Sequence, residues 1–266
     1  MSNVWTKHEI TRKELHRLYV KEGLSTTEIE QKTSIPKSTV WRYLKRSGIL
    51  TRRKEDAVRL KYAKRINFGD LETLAYVLGV LLGDGSISKR SDGTLSLELG
   101  TIDHAFAWSF AKALERLGLS PWLGLVKDKK ARMGQRWMVI ARATSLCKFL
   151  RAVVENHLEE FVVNSPTTMI SFLKGFYESE GGCSYQKTRK YRGREYWYLR
   201  LFMSNTDKTL IDVAKKCMER LGIAGVKLTK CGKCWRIYLN REHEIKKFLD
   251  LVEPSIKHPF REGCAR

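Results

Sequence analysis

The sequence predicts an α/β (α+β) fold in which two pseudo-symmetric αββαββα repeats follow a small all-α domain. Three observations carry that reading. First, "VLGVLLGDGS" (77–86) and "KGFYESEGG" (174–182) place small residues and an acid in the same order, Gly79, Gly83, Asp84 and Gly85 against Gly175, Ser179, Glu180 and Gly181, each 96 residues on. Second, each motif is followed by the same succession of strands and helices. Third, residues 11–49 carry helical periodicity broken by one short turn. The boundaries read as 1–50 for the helical domain, 51–70 for a basic linker, and 71–164 and 165–266 for the two repeats.

In "LSTTEIEQKTSIPKSTVWRYLKRSGI", Ser25 or Thr26 caps a helix holding Ile29, and a turn runs through Ser34 and Ile35. Pro36 then opens a second helix, where its missing N–H costs nothing. Val40 and Leu44, four apart, face inward and leave Lys37, Ser38, Thr39, Arg42 and Tyr43 pointing outward. This resembles the helix-turn-helix of site-specific DNA-binding proteins, which implies a second helix lying in the major groove with those five residues toward the DNA. The linker "TRRKEDAVRLKYAKRINFGD" holds few large apolar residues; it reads as part helical, tracking phosphates or merely solvated.

In the first repeat, Asp84 is followed by a strand, a turn at Ser91-Asp92-Gly93 and the strand "TLSLELGT". A helix from about Asp103 to Leu117 comes next, then a hairpin around "KDKKARMGQ" and a closing helix through "TSLCKFLRAVVE". The second repeat offers "YWYLRLFMSN", a helix from Asp207 to Leu221, a hairpin around "KCGK" and a helix through "HEIKKFLDLV". Asp103 and Gly118 recur as Asp207 and Gly222, each 104 residues later. A repeat of this size within one chain means two pseudo-symmetric halves, and duplex DNA is a partner of roughly two-fold symmetry. If Leu95, Leu97 and Leu99 face the helices, Ser96 and Glu98 face out. By the same parity Arg200, Arg236, Tyr238 and Asn240 share an open face, and the first strands offer Ser86, Ser88 and Arg90, then Ser184, Gln186 and Thr188. These side chains suit base edges and phosphates in a groove wide enough for a β-ribbon.

Fifty Lys and Arg against twenty-nine Asp and Glu leave a net charge of +21, which points to a polyanionic partner. Residues 1–70 alone hold seventeen Lys and Arg against eight Asp and Glu. No stretch approaches the roughly 18 consecutive apolar residues of a membrane span, and "MSNVWTKHEITRKEL" has no apolar signal core. The chain therefore reads as intracellular, in cytoplasm, nucleoid or an organelle, with no membrane partner. Its six cysteines show no framework spacing and would stay as thiols in a reducing compartment. Cys231 and Cys234 form a CxxC, but structural zinc takes four ligands and no second pair accompanies it, so "CGKC" reads as a hairpin turn around Gly232.

Glycine inside a helix costs about 1 kcal/mol relative to alanine. Small residues four apart compensate by letting two helices approach closely, so the two motif helices pack side by side and their C-terminal ends bring Asp84 and Glu180 together. Both the helix dipole and the mutual repulsion disfavour two carboxylates there. A divalent cation relieves both, and Mg²⁺, which takes few protein oxygens and completes its shell with water and phosphate, suits such a site.

"VLGVLLGDG" and "LKGFYESEG" resemble the two signature motifs of monomeric LAGLIDADG homing endonucleases, from about Leu71 to the C-terminus. The resemblance implies that Asp84 and Glu180 bind catalytic metals, that each half lays an antiparallel saddle in the major groove, and that a staggered double-strand break is made in a long pseudo-palindromic target. Glu178, at an earlier acidic position of the motif, is implied to be structural; its counterpart is Leu82. A basic residue after the last helix of a repeat assists in the family, and here it is either Lys257 or Arg261. The corresponding stretch of the first half, "VENHLEEFVVNSP", has no Lys or Arg. Two rival readings use the same basic surface: a maturase acting on intron RNA, and a transcription regulator that binds DNA without cutting it.

Overall fold

The computed structural model describes residues 10–53, 56–57, 60, 66–128, 134–187 and 196–260. The chain divides into two compact units, 1–64 and 65–266.

In the first unit, helix α1 (Arg12–His16), capped by the Thr11 hydroxyl, runs into a π-helical turn at Arg17–Lys21. Helix α2 (Thr26–Thr33) starts from a capping box in which the Ser25 hydroxyl accepts from Glu28 N–H and the Glu28 carboxylate accepts from Ser25 N–H. Of the two candidates, Ser25 is thus the cap. Ser34, in the left-handed region at φ 58°, turns the chain, and α3 (Lys37–Arg46) follows. Pro36 stands one residue earlier than expected, as the cap of α3, since its carbonyl accepts from Thr39 and Val40. Leu15, Leu18, Tyr19, Ile29, Ile35, Val40, Leu44 and Ile49 form this unit's own apolar core. Thr51–Arg53, at the start of the segment read as a linker, stays with this unit. Arg52 N–H donates to the Tyr19 hydroxyl (3.0 Å), its guanidinium donates to the Gly23 and Leu24 carbonyls, and it lies 4.0 Å from the Tyr19 ring centroid.

The second unit repeats one pattern. Its first half is α4 (Leu71–Leu82), β1 (Gly85–Lys89), β2 (Leu95–Thr101), α5 (His104–Arg116), β3 (Trp122–Lys127), β4 (Gln135–Arg142) and α6 (Thr144–Asn156). A short α7 (Leu158–Val162) not foreseen from the sequence leads to the second half. That half is α8 (Pro166–Glu180), β5 (Gly181–Lys187), β6 (Trp197–Asn205), α9 (Lys208–Arg220), β7 (Lys227–Cys231), β8 (Cys234–Leu239) and α10 (Glu242–Val252). Each half folds into a four-stranded antiparallel sheet, ordered β1-β2-β4-β3 and β5-β6-β8-β7.

The residues that recur 104 apart prove to be helix delimiters. Asp103 and Asp207 cap α5 and α9 through their carboxylates, and Gly118 and Gly222 end them at φ 84° and 74°, a conformation costly for any side chain. One continuous apolar core runs through both halves, from Leu74 and Leu78 on α4 to Phe248 and Leu249 on α10. Leu95, Leu97 and Leu99 point into it. Among the described residues no helix is long and apolar enough to cross a membrane.

Candidate functional site

Helices α4 and α8 meet backbone to backbone along their small residues. A Cβ placed on Gly79 would lie 2.4 Å from the Phe172 carbonyl oxygen, and one on Gly175 would lie 2.3 Å from that of Tyr76. At the C-terminal end Gly83 abuts Ser179 Cβ and Glu180 Cγ, where a Cβ would come within 2.3 and 3.1 Å. No side chain but hydrogen fits at these points, so the contact brings the two helix ends together and Asp84 beside Glu180.

Asp84 is exposed and Glu180 half-buried. The protein packed around them nonetheless removes enough water to raise both carboxyls above the ordinary range; for Glu180 the Asp84 charge adds to the effect, while Lys257 opposes it at both. Among the described residues no cluster of three or more His, Cys, Asp or Glu offers a metal cage. Among the described residues the acidic donors at this point are the two carboxylates, which fit a hard cation that keeps water and takes phosphate oxygens, and do not fit a soft or closed metal site.

Of the two basic candidates, Lys257 lies at the site, and Arg261 lies outside the described residues. Held at φ 61°, Lys257 donates from Nζ to the Glu178 and Ser179 carbonyls, each at 2.7 Å, and so satisfies the last turn of α8. Burial pulls its ammonium below the ordinary lysine range, and Asp84, Glu180, Glu178 and Asp103 push it back up. Its backbone is anchored by the Tyr177 hydroxyl, which donates to the Lys257 carbonyl (2.8 Å). Glu178 is fully buried and structural in its contacts: it accepts from the Tyr76 hydroxyl (2.7 Å) and from Ser255 N–H (2.6 Å), tying α4, α8 and the segment carrying Lys257 together.

Sequence reasoning missed Asn205. At the end of β6, its amide donates to Glu180 Oε1 (3.0 Å) and more weakly to the Leu82 carbonyl (3.4 Å), so it orients one acid and covers the end of α4. The two helix ends are therefore finished differently, one by an amide and the other by an ammonium.

The open faces of the two sheets lie opposite the helices. In the second half Arg200 is fixed by donating to Asn240 Oδ1 (2.9 Å) and the Tyr198 hydroxyl (2.8 Å), and its guanidinium lies 4.4 Å from the Tyr238 ring centroid. Arg236 lies over Phe202, with its buried Nε unpartnered among the described residues. Gln186 donates to Ser184, and Thr188 lies outside the described residues. In the first half Ser86 pairs with Glu98 and Ser88 with Ser96 across the strands. Ser96 corrects an expectation: it is on the open face but fully buried, its hydroxyl donating to Glu98 Oε1 (2.7 Å) beneath its neighbours. Arg90 is half-buried, and its Nε has no hydrogen-bond partner among the described residues. The β2–β4 register adds Arg142, opposite Ser96, to this face, and alternation along β4 adds Arg136; the sequence reading passed over both.

On α3, Lys37, Ser38 and Arg42 are exposed and Thr39 is half-buried, accepting from Arg42 (3.3 Å). Tyr43 departs from its expected outward position: its ring packs partly against the small core, because it shares the Val40 and Leu44 side of the helix more than the Ser38 side. Trp41, not singled out from the sequence, is 48% exposed beside Lys37, Ser38 and Arg42, around an open hollow of 630 Å³, with Lys45 over its ring.

Residues 72–153 match the family described as LAGLIDADG-like domain, and residues 171–256 match the WhiA LAGLIDADG-like domain. The matches fall on the two αββαββα halves. An uncharacterized protein of Methanocaldococcus jannaschii is 32% identical over 185 residues, 68% of this chain and 66% of that protein, so the chain spans just under two thirds of this relative. Two solved structures show similar folds. The homing endonuclease I-DmoI in complex with DNA and Mn aligns with 68% of this chain and 96% of its own at 17% identity and a TM-score of 0.48. The N-terminal LAGLIDADG domain of DUF199/WhiA aligns with 76% and 91% at 15% identity and a TM-score of 0.48.

Proposed function

We propose that this chain, which carries two LAGLIDADG-like domains in tandem, is a monomeric, Mg²⁺-dependent DNA endonuclease that makes a staggered double-strand break at a long, pseudo-palindromic site. The observation that supports it most is the pairing of Asp84 and Glu180 at abutting helix ends, raised in pKa and flanked by the Lys257 ammonium. Left to itself that pair is repulsive, and its natural complement is a divalent ion together with a phosphate.

Asp84 and Glu180 would hold the ion, and Asn205 keeps the Glu180 carboxylate in one orientation. A bound Mg²⁺ supplies positive charge against the scissile phosphate and lowers the pKa of nearby water. Lys257 places a further positive charge at the same point, fixed by two carbonyls and ready without reorganisation as charge develops on the phosphate oxygens. Arg90, Arg136, Arg142, Arg200 and Arg236 on the open sheet faces carry the phosphate and base contacts. The first unit, through Lys37, Ser38, Thr39, Trp41 and Arg42, lengthens the site read.

A second reading, a DNA-binding protein that does not cut, is favoured by one observation, the match of the second half to the WhiA LAGLIDADG-like domain. The test is cleavage of a random-site duplex library in Mg²⁺, with sequencing of the ends. Asp84→Asn and Glu180→Gln should abolish cutting while duplex binding without Mg²⁺ persists. A wild-type chain that binds duplex and never cuts would establish the second reading instead.

A further inference from the structure

The CxxC of the second half is used by none of this chemistry, and the fold gives it a definite geometry. Cys231 ends β7, Cys234 begins β8, and the register sets them directly opposite each other across a two-residue loop. Gly232, first of the two loop residues, has φ 60°, as a type II′ hairpin turn requires. Cross-strand partners share a sheet face, and such pairs hold their Cα atoms about 4.5–5.5 Å apart, within the roughly 4.4–6.8 Å that a disulfide spans. Because Ile237 and Leu239 are buried, alternation puts Cys234, Arg236, Tyr238 and Asn240 together on the open face, and Cys231 with them.

The other described cysteines are poorly suited to thiol exchange. Cys147 and Cys217 are buried, and burial pushes each thiol up to about 12. Cys183 is half-buried, raised by burial, and hydrogen-bonded to the Tyr177 hydroxyl. Cys231 is exposed and Cys234 half-buried. A Cβ on Gly232 would meet nothing within 4 Å, so an incoming reagent has room at the tip.

We propose that Cys231 and Cys234 are a reversible dithiol–disulfide site that exchanges with low-molecular-weight disulfides at the tip of the second sheet. The exposed Cys231 thiolate attacks one sulfur of a disulfide RSSR, the S–S bond breaks, and one RS⁻ leaves to be protonated. The Cys234 thiolate then attacks the Cys231 sulfur of the mixed disulfide and releases the second RSH. Two protein thiols are oxidised by two electrons to one disulfide, and RSSR is reduced to two thiols. The bridge adds a covalent rung to β7, whose five residues are all exposed. On the function proposed above it would stiffen an edge strand of the DNA face, and binding to a partner improves when a mobile element is held in its bound form. The disulfide itself does not depend on that function.

The full chain is equilibrated with oxidised glutathione, its remaining thiols are alkylated, and its peptides are mapped by mass. The expected product is one Cys231–Cys234 cross-link, reopened by dithiothreitol, with Cys234→Ser stopping at a glutathione adduct on Cys231. A wild-type chain whose two thiols stay alkylatable, that stops at the adduct, or that pairs either residue with another cysteine overturns the proposal. Duplex affinity at fixed salt is then compared: the closed form should bind several-fold more tightly than the reduced form, and Cys234→Ser should show no such gain. Closure without a change in affinity would sever the site from the DNA face and leave the disulfide standing. Loss of duplex binding in both states would count against the DNA reading alone.

Discussion

Replacing Gly79 with alanine tests the helix contact on which the acid pair depends. The new methyl carbon would sit 2.4 Å from the Phe172 oxygen and 2.8 Å from the Phe176 nitrogen, both backbone atoms that no rotamer change can move. Restoring ordinary contact requires α4 and α8 to separate by about 1 Å, and overpacking of this kind costs about 3 kcal/mol. The gain in helix propensity from Gly to Ala returns about 1 kcal/mol, leaving a loss of about 2 kcal/mol. For a domain of this size that lowers the unfolding midpoint by roughly 4–8 °C. Movement of about 1 Å between Asp84 and Glu180 would also slow cleavage on the order of 100-fold. Gly175 lies 3.2 Å from the same imagined methyl, so Gly175→Ala added to Gly79→Ala should cost less than the two single losses combined. Thermal unfolding by near-ultraviolet circular dichroism and Mg²⁺-dependent cutting of a selected target are the readouts. A Gly79→Ala protein that melts at or above the wild-type temperature and cuts at the wild-type rate would refute the reasoning.

Other outcomes follow from the same geometry. Because the folded state raises the pKa of Asp84 and Glu180, it binds their protons more tightly than the unfolded chain, so their contribution favours folding at low pH and is lost as pH rises through the folded pKa values. In chelator at neutral pH, Asp84→Asn should therefore raise the urea midpoint, with the gain fading toward the ordinary carboxylate range near about 4. Mg²⁺ should stabilise the wild type and leave the Asp84→Asn/Glu180→Gln protein unmoved, as followed by the same urea titrations. Lys257→Met removes the donor to two carbonyls and the charge beside both acids; it should cut cleavage by at least about 100-fold while duplex affinity falls far less, and Lys257→Arg should recover only part of the rate. Arg236→Ala should weaken duplex binding and lower the slope of log affinity against log salt by about 1, as measured by fluorescence anisotropy across a salt series.

The duplicated architecture was legible because its marks are local and paired. Small residues four apart can be read without coordinates, and Asp103 with Gly118 and Asp207 with Gly222 are chemical signals for helix starts and stops. The convergence of Asp84 and Glu180 followed from those small residues, since only a close helix pair compensates for them. What escaped depends on partners distant in sequence. Asn205 reaches Leu82 across 123 residues, and nothing in "FMSNTD" distinguishes it from the Asn of an ordinary turn. Ser96 has the alternation of an outward residue, yet Glu98 and the neighbouring strand cover it. Helix α7 spans five residues, too few for a periodic signal. The inward reach of Lys257 could not be read from the sequence because the left-handed turn that carries it has no sequence signature when the residue is not glycine.

The hydrogen bonds from the segment after α10 back to α8 carry a temporal consequence. A ribosome working at about 5–20 residues per second delivers α8 roughly 5–20 s after α4, and until then the Gly79 face has no mate. Lys257, which closes the end of α8, is translated another 78 residues after Ser179, and Ser255, which binds Glu178, just before it. A nascent chain can build its first sheet early, but the Asp84–Glu180 pair gains its lysine only when synthesis reaches that late segment. On the function proposed above, competence to break DNA is thus withheld from unfinished copies by the order of translation itself.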